Sequence, residues 1–410
     1  MNNAINNENK KLNVPNLRFP EFQGEWEKTK FGDIATGFDY GMNAAAKNYD
    51  GLNKYIRITD IDEASSSYTD KDIVSPDGVL TDNYLVNNRD ILLARTGAST
   101  GKSYLYKKSD GKLYYAGFLI RANVTTHDPY FVFSQLHTHR YWRWVSIMSA
   151  RSGQPGINSQ EYSSFPIYTT SIEEESKIAK LLSLLDERIA TQSKIIEKMQ
   201  TLIKGLNDSL YELYGNGNGI TTSFAELGHS YSGLSGKTAN DFGTGKPFIT
   251  YLNVYSNNII NENDYQYVRI SEGEKQNVVK YGDVLFTLSS ETPEEVGVGS
   301  VFLGKEEVLL NSFCFGIHIE NEEQVYSPYL SYYVSSTPFR KFIYPFAQGS
   351  TRFNLCKADF EKASIKLPLL ENQKHIYAIL NSIAEKIETE EMMFEKYLIQ
   401  KQYLLRQMFI

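Results

Sequence analysis

The sequence predicts an α+β fold in which two similar α/β modules are joined by two long α-helices that form an antiparallel coiled coil, with a pseudo-twofold internal repeat. Three observations support this prediction. The second half of the 410-residue chain repeats the first half. Each half ends in a long heptad pattern, and the length suffices for two hydrophobic cores of roughly 150 residues each.

The internal repeat has a nearly constant spacing. Matched segments recur 193 residues apart at first and then at offsets from 195 to 199, as expected if loops change in length while the elements between them persist. The 193-residue matches are residues 31–34 (Phe-Gly-Asp-Ile) with 224–227 (Phe-Ala-Glu-Leu), 55–58 with 248–251, and 90–93 with 283–286. The later matches are Phe118 with Phe313, residues 128–130 with 327–329, and Asn158 with Asn354.

Apolar residues in alternating steps of four and three end each half, which is the pattern of a coiled-coil seam. Both seams contain one polar residue at the equivalent place, Gln192 and Glu390, which fixes register at a cost in stability. The alternative is that each helix packs only on its own module. The predicted seam comprises Ile178, Leu182, Leu185, Ile189, Gln192, Ile196, Met199, Ile203, Leu206, Leu210 and Leu213, followed by Ile376, Leu380, Ile383, Ile387, Glu390, Phe394, Tyr397, Leu404 and Met408.

The composition of the connecting segments sets the predicted boundaries. An Asn-rich, polar start predicts a disordered tail, and the Gly-Asn-Gly-Asn-Gly run predicts a hinge because glycine and asparagine accept the left-handed backbone that ends helices. The resulting division is a tail at 1–16, a first module at 17–170, a helix at 171–214, the hinge at 215–219, a second module at 220–369 and a helix at 370–410.

Within each module, short β-branched and aromatic runs predict strands between turn signals. The predicted strands lie at 55–61, 91–94, 103–106, 114–124, 284–288 and 313–319. Asp110-Gly111 predicts a hairpin turn between two of these runs. An aromatic-rich segment from Pro129 to about Met148 predicts one helix.

Composition narrows the class of protein. The sequence contains no apolar run of membrane-spanning length and no secretory leader pattern, which predicts a cytoplasmic protein. Its two cysteines, Cys314 and Cys356, predict core packing rather than a disulfide framework or a zinc site. A net charge of −7 is unusual for a nucleic-acid binder, but residues 89–151 hold ten Lys and Arg against three Asp and Glu, so one basic face is compatible with the acidic whole.

Motifs of catalysis are incomplete. The loop at 96–103 has three residues between Gly97 and Gly101, where a phosphate-binding P-loop needs four before its Gly-Lys pair. Pro76-Asp77 with residues 110–112 makes a weak nuclease motif, and residues 242–245 (Phe-Gly-Thr-Gly) predict a turn rather than a cofactor loop. A metal site at His127, His137 and His139 is not predicted, because no carboxylate or cysteine completes it. The glutamate runs at 173–175 and 306–307 predict solvated charge.

Two polar loops that contain glycine occupy equivalent places, residues 151–158 and 348–354, and each ends in a matched asparagine. Arginine suits guanine and glutamine suits adenine in the major groove, so these loops predict base recognition. Arg95 and Lys102 flank a second glycine-rich loop that suits DNA phosphates. The predicted DNA-binding residues are Lys47, Arg95, Thr96, Ser99, Lys102, Arg151, Ser152, Gln154, Ser289, Ser290, Gln348, Ser350, Thr351 and Arg352.

The chain resembles the specificity (S) subunits of Type I restriction-modification enzymes over nearly its whole length. The resemblance rests on the opening at residues 16–22 (Asn-Leu-Arg-Phe-Pro-Glu-Phe) with 24–26 (Gly-Glu-Trp), on residues 90–97 followed by Gly101-Lys102, and on the duplicated helices. It implies a non-catalytic subunit with two target-recognition domains. Each domain recognises one half of a split DNA sequence, and the helices set the gap and dock two methyltransferase (M) subunits.

The same resemblance implies restriction (R) subunits as further partners. It assigns S-adenosylmethionine, ATP and Mg²⁺ to the partner subunits and none of them to this chain. The second module departs from the pattern, because residues 287–296 are acidic and lack the Arg and Gly-Lys of the first module. That divergence predicts unlike half-sites, and Glu291 there suits a cytosine amino group. The alternatives are a single-chain methyltransferase or nuclease with an unusual site, a coiled-coil scaffold, and the specificity subunit of another bipartite-site restriction system.

Overall fold

A computed structural model describes residues 13–63, 65–150, 155–215 and 219–410. The chain forms two compact units. The first comprises residues 1–194 and 392–410, and the second comprises residues 195–391. Both long helices therefore contribute to both units. No helix among the described residues combines the length and apolarity that crossing a membrane requires.

The first unit contains a mixed module and the start of a long helix. Its helices are α1 (Phe31–Ile34), α2 (Pro129–Gln135), α3 (His139–Ser149), α4 (Ser159–Ser163) and α5 (Ile172–Gly215), the last of which continues into the second unit. Its strands are β1 (Glu27–Lys30), β2 (Ala35–Tyr40), β3 (Ala45–Asn48), β4 (Lys54–Ile56), β5 (Val74–Asp77), β6 (Asp90–Ala94), β7 (Ser103–Leu105), β8 (Leu113–Tyr115), β9 (Leu119–Val124) and β10 (Pro166–Thr169).

The second unit repeats this arrangement. Its helices are α6 (Phe224–Leu227), α7 (Tyr251–Ser256), α8 (Ser327–Tyr333), α9 (Thr337–Ile343), α10 (Lys357–Lys362) and α11 (Leu370–Gln407), the last of which continues into the first unit. Its strands are β11 (Ile220–Thr222), β12 (Gly228–Ser232), β13 (Phe242–Ile249), β14 (Tyr265–Val268), β15 (Val284–Thr287), β16 (Ser289–Ser290), β17 (Gly299–Val301), β18 (Leu309–Leu310), β19 (Cys314–Ile319), β20 (Ala347–Gly349), β21 (Phe353–Leu355) and β22 (Ile365–Leu367).

The sheets of the two modules have the same topology. The central sheet has the order β2-β9-β6-β7 in the first module and β12-β19-β15-β17 in the second. A parallel pair lies beside it in each, β4 with β8 and β13 with β18. Matched sequence segments occupy matched elements at residues 31–34 and 224–227, which are helices α1 and α6, and at Asp90 and Asp283, which are buried where strands β6 and β15 begin. The match of Asn158 with Asn354 is wrong, because Asn158 caps helix α4 whereas Asn354 lies in strand β21 and Cys356 precedes the equivalent helix α10. The predicted internal repeat is confirmed.

The core of the first unit includes both long helices. Ile178 and Leu182, near the start of α5, pack in the same apolar cluster as Leu404 and Met408, near the end of α11. The chain's opening segment joins this cluster through Trp26, which is 1% exposed and stacks edge-on to rings of helix α2 and of the C-terminal residues. The start of α5 and the end of α11 therefore lie in the same hydrophobic core.

The core of the second unit is built in the same way. Ile376 and Leu380, near the start of α11, pack with Ile203 and Leu210 from the second half of α5. Each helix therefore packs on its own module at its start and on the other helix along its length. An Asp186–Lys401 ion pair in the first unit and a bond from Gln200 to Glu391 in the second show that the helices run antiparallel, as predicted.

The predicted seam positions are buried or half-buried with one exception. The exception is Leu213, which is 67% exposed. Gln192 and Glu390 are buried at equivalent positions, and Lys386 pairs with Glu390. The polar residues of the seam are thus accommodated inside the helix pair.

Several predicted elements are wrong in detail. Asp110-Gly111 forms a turn but no hairpin, because β7 pairs with β6 while β8 pairs with β4. The predicted helix at 129–148 is two helices, since Thr138 caps the second by accepting from the amide of Tyr141. The predicted strand at 114–124 is interrupted between β8 and β9.

The second module also differs from expectation at two places. Residues 242–245 are not a turn but the bulged start of strand β13, where Phe242 and Lys246 both pair with Val268. Cys314 is buried as predicted, but Cys356 is only half-buried, and its thiol donates to Asp359. It precedes helix α10 instead of packing in the core.

The prediction of solvated charge at residues 173–175 is wrong for two of the three glutamates. Glu174 and Glu175 are fully buried. Arg18 binds both oxygens of Glu174 at 2.7 Å, so the opening segment is fastened to the start of α5. Burial raises the pKa of Glu175, whose carboxylate accepts from His127 at 2.8 Å and from two backbone amides. The run at 306–307 is exposed, as predicted.

Candidate nucleic-acid interface

The two loops predicted to touch DNA meet in the first module. Strand β6 ends at Ala94, and the residues after it form hydrogen bonds with the last residues of the 151–158 loop. The amide of Ile157 donates to the carbonyl of Arg95 at 2.9 Å, and the amide of Gly97 donates to the carbonyl of Pro155 at 3.1 Å. The structure therefore places the Arg95–Lys102 loop directly beside the end of the 151–158 loop.

The glycine-rich loop is shaped by packing on helix α3. Gly101 has φ +92°, and a Cβ there would approach Val145 within 2.8 Å, so only glycine allows the close approach. Its carbonyl accepts from Tyr141 at 2.8 Å. Strand β7 follows the loop, so the loop does not open a helix as a P-loop would.

Arg95 is held at the rim of this loop by aromatic rings. Its Nε donates to the carbonyl of Gly117 at 3.1 Å. The guanidinium carbon lies 4.8 Å from the ring centroid of Tyr40 and 5.8 Å from that of Phe118. Stacking on two rings restricts the guanidinium before any ligand binds. A cavity of about 260 Å³ lies beside Arg95 and Thr96, lined also by Asn158 and Glu161.

The remaining candidates of the first module are less concentrated. Lys102 pairs with Glu63 at 3.1 Å, and Lys47 lies on strand β3 with its Nζ 3.7 Å from Asp77. Ser99 is half-buried. The predicted contacts Arg151, Ser152 and Gln154 lie outside the described residues.

The basic excess at residues 89–151 is only partly available as a surface. Arg89 donates to the carbonyls of residues 124, 125 and 127, and Arg140 donates to the carbonyl of Pro166 and to Gln135. Burial lowers the pKa of Arg140 to about 10. These arginines hold loops in place, so local charge counting overestimates the basic face.

The second module brings its two predicted loops together by the same backbone bonds. The amide of Leu355 donates to the carbonyl of Leu288 at 2.8 Å, which matches the Ile157–Arg95 bond of the first module. Ser289 and Ser290 then pair with Asn354 and Phe353 in the small sheet β16-β21-β20. Gln348 and Ser350 are exposed on the β20–β21 hairpin.

A cavity of about 730 Å³ opens at this junction. Four predicted DNA-binding residues line it, together with aromatic and acidic side chains. The lining residues are Tyr251, Leu252, Tyr255, Ser289, Ser290, Glu291, Glu295, Phe313, Thr351 and Arg352. The fold thus brings predicted residues that are distant in sequence together in one concave site.

Polar contacts fix the walls of this cavity. Arg352 Nη2 donates to Ser289 Oγ at 3.3 Å, and its guanidinium carbon lies 5.7 Å from the ring centroid of Phe313. Tyr255 and Ser290 donate to the two oxygens of Glu295 at 2.8 and 3.0 Å. These hydrogen bonds lower the pKa of Glu295, so the group is a fixed anion at neutral pH.

Sequence reasoning missed the aromatic residues of both sites. Phe118 and Phe313 were matched as parts of the repeat, yet they are 55% and 54% exposed. Each directly precedes or begins a buried strand at a turn, and that position outside the strand alternation was the available signal. Tyr251 and Tyr255 have no comparable signal, because helix α7 begins at Tyr251, within the segment 248–251 that the repeat matches with the predicted strand at 55–61.

The candidates from other classes are not brought together. Asp77 pairs with Lys47, while Asp110 accepts from Tyr104 at 2.5 Å and Lys112 lies over the ring of Tyr114. The described residues contain no group of three or more His, Cys, Asp and Glu side chains placed to hold a metal ion. What the described residues do assemble, twice, is an arginine and polar side chains on a concave surface, with an exposed phenylalanine ring beside the arginine.

Comparison with known proteins gives one family. The model of the Type I restriction modification DNA specificity domain matches this chain twice, at residues 23–201 and 233–393. Two relatives from Methanocaldococcus jannaschii are similar over most of their length. A putative type I restriction enzyme MjaX specificity subunit is 25% identical, covering 92% of this chain and 91% of its own. The type I restriction enzyme MjaVIII specificity subunit is 24% identical, covering 91% and 88%.

Solved structures share the fold. The type I restriction-modification S subunit from M. genitalium has a TM-score of 0.58 and 14% identity, covering 97% of this chain and 99% of that one. A chain from a study of complex assembly and conformational transition of a type I system also has a TM-score of 0.58, at 15% identity, covering 95% and 98%. These similarities support the duplicated α/β architecture with its long helices.

Proposed function

The chain belongs to the family of type I restriction-modification DNA specificity proteins, and from this premise we propose that it is the non-catalytic subunit through which a type I complex recognises a bipartite, asymmetric DNA site. The first module recognises one half-site and the second module the other. Arg95, Thr96 and the 151–158 loop supply contacts in the first, and Ser289, Ser290, Thr351 and Arg352 supply them in the second. The asymmetry follows from the unlike side chains on matched backbones.

One observation carries this proposal. Each module joins two loops by the same backbone bond, Ile157 to Arg95 and Leu355 to Leu288, and builds a concave polar surface where they meet. Arginine and hydroxyl side chains on such a surface suit base edges and phosphates. A duplicated recognition surface with unlike residues is what an asymmetric two-part site requires.

The helices supply the gap between half-sites in this proposal. Helix α5 is continuous over 44 residues, which corresponds to roughly 65 Å at 1.5 Å per residue. The antiparallel α11 packs against it in both units and is tied by the Asp186–Lys401 pair. A paired helix resists bending better than a single one, so its length is a suitable ruler for the unrecognised base pairs.

The chain also acts as a docking platform for two M subunits, and R subunits join that core. Support comes from apolar side chains exposed on the helices, including Leu202 and Leu213, which are 57% and 67% exposed. They are eleven residues apart, about three helical turns, and so share one face. S-adenosylmethionine, ATP and Mg²⁺ act in the partner subunits.

Methylation measured with and without the partner tests this function. The chain alone should transfer no methyl group from labelled S-adenosylmethionine, and the complex with its M partner should methylate one split motif. Methyl transfer by the isolated chain would establish the single-chain enzyme instead. Failure of the complex to bind any DNA at low salt would establish a scaffold, because phosphate contacts strengthen as ionic strength falls.

A further inference from the structure

Both modules place an arginine over an exposed phenylalanine at the same point of the fold. The guanidinium carbon of Arg95 lies 5.8 Å from the ring centroid of Phe118, and that of Arg352 lies 5.7 Å from that of Phe313. The two phenylalanines are equivalent in the repeat, but the two arginines are not. The residue equivalent to Arg95 is Leu288, and Arg352 comes from the loop before strand β21.

The backbone around each ring is nearly identical. The amide of Arg95 donates to the carbonyl of Phe118 at 3.0 Å, and the amide of Leu288 donates to the carbonyl of Phe313 at 2.9 Å. The same scaffold therefore carries an arginine over the same ring from two different chain positions. Because the two arginines are not equivalent positions of the repeat, duplication of one ancestral arginine does not explain why both lie over the ring. A common function of the arginine–phenylalanine pair in the two modules does explain it.

In each module the phenylalanine ring holds the arginine guanidinium, a hydrogen-bond donor, in a preorganised position. Phe118 and Phe313 remain more than half exposed although each directly precedes a buried strand. Stacking on the ring face, with Arg352 Nη2 also bonded to Ser289, restricts the guanidinium. Restricting a long side chain in advance reduces the entropy lost on binding, so the arrangement suits directional recognition.

The charges of the second cavity distinguish a base edge from a phosphate as the ligand. Among its lining residues Arg352 is the cation, while Glu291 and Glu295 are anions. Glu295 accepts hydrogen bonds from Tyr255 and Ser290, and Glu291 is exposed. Two carboxylates beside one guanidinium repel a phosphate, but they tolerate the neutral edge of a base pair.

A G·C pair has the complementary pattern. In the major groove guanine offers the O6 and N7 acceptors that suit arginine, and cytosine offers an N4 amino group that suits a carboxylate. Building on the proposed function, we propose that Arg352, held over Phe313, recognises a guanine of the second half-site and that Glu291 accepts from the amino group of its paired cytosine.

The test uses the complex of this chain with its M partner on a DNA library with randomised half-sites, read by sequencing the methylated products. The wild-type motif should contain a G·C pair in its second half. Arg352→Lys and Arg352→Ala should reduce the preference for that pair by about 5- to 150-fold, the discrimination of one bidentate contact. Glu291→Gln should reduce it at the same pair by less.

The first half-site of the motif serves as the internal control for folding and assembly, since it should be unchanged in each variant. Arg269→Lys, at an exposed arginine of the second module that does not line the cavity, is the matched control and should leave the whole motif intact. Uniformly weaker methylation with an unchanged motif in the Arg352 variants would show a phosphate contact and overturn the assignment.

The outcome for the wild-type complex separates this inference from the proposed function. A split motif without a G·C pair in its second half would overturn the role of Arg352 alone. Absence of any split motif would overturn the proposed function, and the inference with it.

Discussion

Lys401 lies 2.7 Å from Asp186, joining the end of α11 to the first half of α5. Tyr130 of helix α2 donates to the same carboxylate, so Asp186 connects both long helices to the first module. The side chains of Lys401 and Asp186 are only 17% and 25% exposed, and a charge left without its partner there is poorly solvated.

Asp186→Ala should therefore destabilise the first unit by about 2 kcal/mol, the typical cost of losing hydrogen bonds to a charged group. Asp186→Asn should cost less, because an amide oxygen still accepts from Tyr130. Chemical denaturation of the purified chain gives the free energy of unfolding. The adjacent, exposed Glu187 is the matched control, and Glu187→Ala should be nearly neutral. Equal effects at both positions would contradict the assigned role of Asp186.

His137 should make the first unit acid-sensitive. Burial, and then the positive charge of Lys401, lowers the pKa of His137 from 6.5 to about 4. Between those pH values the unfolded chain binds a proton that the folded chain does not, so stability falls as the pH is lowered through this window. The loss by pH 4 should be about 3 kcal/mol.

His137→Gln should flatten that part of the stability profile, measured by denaturation at pH 4 to 7. The imidazole nitrogens lie 3.0 Å from the carbonyl of Phe133 and 2.9 Å from Ser66, so glutamine keeps some polar contacts. His139→Gln, two residues away and exposed, is the control and should leave the slope unchanged. A slope retained in His137→Gln would assign the acid sensitivity elsewhere.

The first half-site should depend on Arg95. Because its guanidinium is stacked on Tyr40 and Phe118, Arg95→Ala should broaden or weaken recognition of the first half-site and leave the second unchanged. Methylation profiling of the reconstituted complex measures both halves at once. Changes in the second half-site would show that the modules do not recognise DNA independently.

Association with the M subunit should depend on the exposed apolar face of α5. Leu202→Glu with Leu213→Glu should reduce binding of M by at least tenfold, because both side chains are more than half exposed and a buried carboxylate in an interface is costly. Binding is measured by titration of the purified subunits. Lys204→Glu, at an exposed position between them, controls for added negative charge. If the double variant binds M as tightly as the wild type does, the docking surface lies elsewhere on the chain.

The sequence predicted those features that periodicity controls. The repeat, the antiparallel helices and the equivalence of α1 with α6 follow from patterns that recur with fixed spacing. Strand pairing between segments that are distant in sequence could not be predicted in the same way. Asp110-Gly111 has the composition of a hairpin turn, but β8 finds its partner in β4, more than fifty residues earlier.

The site was predicted at the level of loops and only partly at the level of side chains. Arg95 and Arg352 were found because arginine suits DNA, and the structure places both on concave surfaces. Arg89 and Arg140 look the same in sequence, yet they bind backbone carbonyls. Glu174 shows the converse, since its burial depends on Arg18, which is 156 residues away. Which partner each of these charged side chains has depends on tertiary contacts, and local sequence patterns do not predict them.

The gap between half-sites should change with the length of the helix pair. The Asp186–Lys401 and Gln200–Glu391 contacts place residues 193–199 of α5 opposite about residues 390–396 of α11, so the two heptads can be deleted together. Removing seven residues shortens each helix by about 10 Å, which is roughly three base pairs of duplex. The methylated motif should keep both half-sites and lose about three unrecognised positions.

Methylation should also become less efficient in this double deletion. Three base pairs rotate the duplex by about 100°, whereas a heptad changes the helix phase by only about 20°, so the DNA must twist to meet both modules. Deleting the heptad from α5 alone is the control, and it should abolish methylation because the seam loses its register. A shortened pair that retains the original gap would show that something other than the helices measures it.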